Sequence, residues 1–190
     1  MINMSEVMLL KDIAGYCPEI AIWKMITDLT NQIADGKSES KIFPKNIVVD
    51  GDSFLIVSNT ETDSYYMAPE MCEGQESNPA QIAWTIGALI YYASTGRILF
   101  GGHGGNYQRL HPSVSLPVLP KLHQKLTPIM QQCLCSDPSE RISLDKLIEK
   151  ANEGLLECRK RIREHQCINI EPNNMNSIQE DNWPEEMKEI

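Results

Sequence analysis

The chain carries 190 residues, 42% of them hydrophobic, with 26 acidic side chains against 17 basic for a formal net charge of -9. That length suits one globular domain with a tail, not two full domains, and the acidic balance excludes the basic footprint of a nucleic-acid binder. Six cysteines (Cys17, Cys72, Cys133, Cys135, Cys158 and Cys167) show no paired CxxC spacing, and the N-terminus has no charged-then-apolar leader. They read as reduced thiols of a cytoplasmic protein. The longest apolar run, "AWTIGALIYYAS" from Ala83, falls short of a membrane span and predicts a buried core helix, so no membrane partner is expected.

In chain order, "PEIAIWKMITDLTNQI" places Ile22, Met25, Ile26, Leu29 and Ile33 at three- and four-residue steps, which predicts an amphipathic helix over Pro18–Ile33 with Gly36 past its end. "NIVVDGDSFLIV" predicts a hairpin of Asn46–Val49 and Phe54–Val57 about an Asp-Gly-Asp turn. A helix apolar all round spans Pro79–Thr95 and stops at Gly96. "FGGHGG" and "HPSVSLPVLP" read as one long loop whose glycines give flexibility. Helices resume at Lys121–Cys135, with Leu122, Leu126, Ile129, Met130 and Cys133 on one stripe. A last one starts at Ser143 and runs into the basic stretch Arg159–Arg163. The composition turns polar and acidic near the end, dividing a domain at 1–165 from a mobile or peripherally docked tail at 166–190.

Three motifs in order carry a family likeness. "YMAPE" at Tyr66–Glu70 resembles the APE motif of protein kinases, "AWTIGALIYYASTGRILF" at Ala83–Phe100 their "DVWSLGxxLYExxTGxxPF" helix, and "CLCSDPSERISLDKL" at Cys133–Leu147 their "CLxxDPxxRPxxxEL". The chain thus resembles the C-terminal lobe of a protein kinase over about Leu9 to Ala151. The fold this implies is mainly α, a C-lobe-like helical domain with a small β-hairpin and no N-lobe. The family likeness implies a structural ion pair between Glu70 and Arg141.

On that register the family's catalytic loop falls on Glu39–Asn46. Against "HRDLKPEN" the chain reads "ESKIFPKN", so Lys41 stands where the family has its proton-accepting aspartate, and Asn46 keeps a metal-ligand position. The DFG triplet falls on Asn59-Thr60-Glu61, and an asparagine is a weak ligand for a hard dication. With these degenerate positions, and with only about eight residues ahead of the matching segment where the family likeness implies a whole N-lobe with its lysine, glutamate and glycine-rich loop, no catalytic residue, cofactor or metal is expected, and the chain reads as a pseudokinase and not an enzyme. His103, His111, His123 and His165 lack ligand spacing and read as surface residues. In extent the chain is similar to the KIND module, the kinase non-catalytic C-lobe domain, which implies a protein-interaction or regulatory role. The other reading is one half of a split Ser/Thr-type kinase needing an N-lobe from another chain. On the face an N-lobe would cover, Ile42, Phe43 and the ends of the hairpin would be bare, and the expected cover is another protein, a second copy, or the chain's own tail, where Trp183 and Met187 offer apolar anchors.

Overall fold

The computed structural model describes residues 8–36, 42–58, 63–73 and 78–168, with the side chains of Glu73 and of residues 166–168 left aside. Its contacts divide the chain into two units, Met1–Cys158 and Arg159–Ile190, a boundary that falls before the composition changes. Among the described residues the fold is mainly helical. A strand β1 (Met8–Leu9) and the short helix α1 (Leu10–Ile13) lead into helix α2 (Glu19–Ala34), and the hairpin β2 (Ile47–Asp50) and β3 (Ser53–Ile56) follows. Helices α3 (Pro79–Thr95), α4 (Leu99–Gly102), α5 (Gly104–Leu110), α6 (Thr127–Cys133) and α7 (Leu144–Ile168) complete it.

Helix α3 is the centre, and its ends follow from its own sequence. Asn78 accepts the Gln81 N–H at 3.2 Å while Gln81 Oε1 accepts the Asn78 N–H at 3.0 Å, a reciprocal N-cap, and Pro79 fills the first turn. Gly96 ends it in the left-handed region at φ 68°. Trp84, Ile86, Leu89 and Ile90 between these caps are fully buried. At Gly87 a Cβ would stand 2.7 Å from that of Cys133, so the missing side chain is what lets α6 cross this close.

Helix α2 buries Ile22, Met25, Ile26 and Leu29 and uses its polar face to seal the sheet. The strand order is β1-β2-β3, all antiparallel, which leaves β3 at an edge. Asp28 Oδ2 accepts the Phe54 N–H at 3.0 Å, while Gln32 accepts the Ile56 N–H at 3.0 Å and donates to the Phe54 carbonyl at 2.7 Å. Two side chains one helical turn apart thus replace a fourth strand, which removes a pairing hazard. Replacing Gln32 with leucine is expected to cost about 1 kcal/mol. Hydrogen exchange at the Ile56 amide should accelerate, and an unchanged rate there would show that the edge is held otherwise.

The structure departs from the sequence reading in three places. The stretch read as loop contains α4 and α5. Phe100 at φ 52° and Gly101 at φ 66° make α4 a tight single turn, from which α5 runs against the segment before Glu70. The Lys121–Cys135 helix is two pieces, a 3-10 stretch Lys121–Leu126 and then α6. The 3-10 stretch is broken at His123 (φ -117°, ψ 15°), which turns the stripe: Leu122 is 71% exposed, whereas His123, expected on the surface, is buried and bonds the Cys17 carbonyl through Nε2 at 2.8 Å. Third, β1 is an added strand that the two-residue pattern of Met8–Leu9 does not announce.

Of the six cysteines, Cys17, Cys72, Cys133, Cys135 and Cys158 are described, and all five are free thiols. Burial pushes the Cys17 thiol up to about 11 from 9.0. The folded state resists its ionisation, so this share of stability is intact below pH 9 and is lost as the pH rises towards 11. In the native protein at pH 8, iodoacetamide should label Cys17 far more slowly than in the denatured chain. Equal rates would show the site to be open.

Candidate functional site

The segment 63–73 is fastened at successive points. Asp63 accepts the Tyr65 N–H at 3.2 Å and caps a 3-10 turn, Ser64–Tyr66. Tyr66 is buried with its ring edge-on to Tyr92, centroids 5.7 Å apart, and its carbonyl accepts Thr85 Oγ1 of α3 at 2.9 Å. Burial raises the Tyr66 phenol above its ordinary value, and Tyr92 and Asp63 add to the effect.

Beyond Tyr66, a second 3-10 stretch, Pro69–Glu73, sets Glu70 against Arg141. The two meet side by side, at 2.5 Å from Nη1 to Oε1 and 2.7 Å from Nη2 to Oε2, both residues under 8% exposed. The remaining donors of Arg141 go to the carbonyls of Cys135 (2.7 Å), Ala80 (3.1 Å) and Ser136 (3.1 Å). All five guanidinium N–H groups are therefore used. The turn before Arg141 is held by Asp137, which accepts Ser139 Oγ at 2.7 Å and Ser139 N–H at 2.8 Å, and these bonds lower its carboxyl below the usual range. A second buried link runs from Trp84 Nε1 to Gln108 Oε1 and from Gln108 Nε2 to the Leu134 carbonyl, each 2.7 Å, joining α3, α5 and the end of α6.

Asn46 is buried, and its Oδ1 accepts the Phe43 N–H at 2.8 Å, closing the 3-10 turn Pro44–Asn46. That oxygen is engaged in its own turn. Among the described residues no group of three or more His, Cys, Asp or Glu could hold a metal ion. Lys41, Asn59 and Trp183 lie outside the described residues.

Against the expectation that they would be bare, Ile42 and Phe43 are 3% exposed each. The turn closed by Asn46 folds them inward, where they line an apolar groove of about 90 Å³ with Tyr66, Met67, Met71 and Ile82. The exposed apolar surface lies instead on the sheet. Pairing of Leu9 with Val48 and of Val48 with Leu55 puts these three in one row across β1, β2 and β3, and Val57 follows on the same face as Leu55. Leu55 is 38% exposed and Val57 40%. The buried Phe54 marks the opposite face as the core side. A sheet face left to solvent usually carries polar residues; here Asp50 and Ser53 take that place only beside the turn, and Leu9, Val48, Leu55 and Val57 make the rest of the face apolar. The signal was present in "NIVVDGDSFLIV", whose strands are apolar at both parities, but β1 was needed to complete the row.

Comparison with known proteins places this geometry. The protein kinase domain family matches over residues 44–151. The serine/threonine-protein kinase PkaB of Streptomyces coelicolor is 30% identical over 91 residues, 47% of this chain and 22% of that protein. The serine/threonine-protein kinase ULK3 of Xenopus laevis is 31% identical over 84 residues, 41% of this chain and 18% of that one. The mouse dual specificity protein kinase TTK is 26% identical over 160 residues, 66% of this chain and 19% of its own length. The chain thus spans about a fifth of these relatives. Their kinase identity and the family match overturn the expectation, drawn from Lys41, Asn59 and the missing N-lobe, that the chain is not an enzyme: they point to a kinase. Among the described residues no helix is long and apolar enough to cross a membrane. With its buried Glu70–Arg141 clamp and its match through Ala151, the chain belongs to the protein kinase domain family.

Proposed function

We propose that this chain works as a protein-binding lobe of the kinase family, joined to a partner protein through the outer face of the β1–β2–β3 sheet. The observation that carries the reading is the outward apolar row of Leu9, Val48 and Leu55 with Val57 beside it. Full burial of a side chain of this size is worth about 1.5–3 kcal/mol, and with Leu55 38% and Val57 40% exposed a partner would gain a part of that at each, summed over the row. The five free thiols described fit a reducing, cytoplasmic setting. In this role the lobe is a regulatory docking element.

A second reading is favoured by the relatives' names, two of them serine/threonine-protein kinases. Here the partner is an N-lobe from another chain, and the joined pair transfers phosphate to serine or threonine. Both readings use the same face.

The test places a photo-crosslinking benzoyl-phenylalanine at Leu55 of the full chain in its native host. Expected is one dominant crosslinked protein, whose purified form binds the wild-type chain and binds Leu55→Asp/Val57→Asp at least tenfold more weakly. Equal binding by that variant, with its melting temperature unchanged, would sink the interface. Phosphate transfer to a serine peptide on adding ATP and Mg²⁺ to the purified pair would select the second reading.

A further inference from the structure

The second unit opens with a concentration of positive charge in an otherwise acidic chain: Arg159, Lys160, Arg161 and Arg163 within five residues. Lys160 faces Glu164 at 3.9 Å, one turn along. Arg159 and Arg163 are also one turn apart, both exposed, and among the described residues neither is in an ion pair. Two like charges at that spacing repel each other. The helix dipole does not explain them, because its attraction for cations is confined to the last turn, and Ile168 ends α7 five residues beyond Arg163. Between them on the same face, three residues past Arg159, stands Ile162, 38% exposed. The face is therefore two cations flanking an apolar spot.

The remaining sequence of this unit carries the complement. From Glu171 on it holds six carboxylates against Lys188, and four of them (Glu180, Asp181, Glu185 and Glu186) lie within three residues of Trp183. An indole amid acids suits a cation–apolar–cation surface: its face attracts guanidinium groups, its body covers isoleucine, and the carboxylates neutralise what is left. Reach is not limiting. Ile162 lies ~9 Å along the helix axis from Ile168, whereas the fifteen residues from there to Trp183 can span up to ~50 Å. Covalent attachment also gives the segment an effective concentration no separate acidic peptide has. We propose that the acidic C-terminal segment docks through Trp183 on the Arg159–Ile162–Arg163 face of α7.

The test uses the full chain labelled with 5-fluorotryptophan, which gives one fluorine signal each for Trp23, Trp84 and Trp183, the last identified by its loss in Trp183→Phe. Expected is a Trp183 signal displaced from that of the free amino acid at low ionic strength. It should return to the free position in Arg159→Glu/Arg163→Glu and in ~1 M salt, where charge interactions reach only about 3 Å, while the Trp23 and Trp84 signals stay in place as a check on the fold. The displacement should not change on dilution. A Trp183 signal at the free position from the start, or one unmoved by the charge reversal, would overturn the proposal. So would one that moves on dilution, which would make a second copy the occupant.

Discussion

Replacing Arg141 with alanine is expected to cost about 3–5 kcal/mol, read as a lower midpoint of denaturant unfolding, and to cost more than Glu70→Ala. The asymmetry follows from what each change leaves behind. Without Arg141, the Glu70 carboxylate stays buried beside no cation, and the Cys135, Ser136 and Ala80 carbonyls each lose a donor. Without Glu70, the guanidinium keeps those three acceptors, so its charge is still partly satisfied. Lysine at 141 should recover only part of the loss, since a single ammonium cannot serve two carboxylate oxygens and three carbonyls at these positions. Replacing both residues with methionine removes the stranded charge but still strands the carbonyls, so that variant should lie between wild type and Arg141→Ala. If Glu70→Ala proves the more damaging, the arginine's bonds to the backbone are not what hold this corner.

How far the sequence could be read depended on whether the deciding interaction was local. Helix α3 is bounded by Asn78, Pro79 and Gly96, all adjacent to the residues they cap, and its bounds were legible to the residue. The 3-10 stretch at Lys121–Leu126 was not: a helical period carried back from Ile129 and Met130 puts Leu122 inside, and it is the break in the backbone at His123 that turns Leu122 out and His123 in. The Glu70–Arg141 pair spans 71 residues, so no spacing rule reaches it, and only the family likeness named it. Ile42 and Phe43 failed for a different reason. They were judged by the neighbour a kinase lobe usually has, whereas the turn closed by Asn46 folds them into the chain's own groove. The apolar face exists but belongs to strands whose third member, β1, is two residues long.

The glycines of "FGGHGG" offer a test in which two ordinary rules predict opposite signs. Gly105 sits inside α5, outside the positive-φ region, so alanine there should gain about 1 kcal/mol by helix propensity alone. The packing says otherwise. A Cβ at Gly105 would overlap the Met67 carbonyl and lie 3.0 Å from backbone atoms of Ala68 and Pro69. Backbone cannot rotate aside as a side chain can. Nor is this stretch free to slide, because Thr85 holds the Tyr66 carbonyl on one side and Arg141 holds Glu70 on the other. The strain must therefore lift α5, straining the buried Gln108 bonds to Trp84 and to the Leu134 carbonyl. Overpacking of this kind costs about 1–3 kcal/mol, which outweighs the propensity gain. Gly105→Ala is accordingly expected to lower the melting temperature and speed hydrogen exchange along α5. A rise in melting temperature would mean that Gly105 supplies flexibility to a loop. A fall means that it is part of the contact surface on which the segment leading to Glu70 is laid.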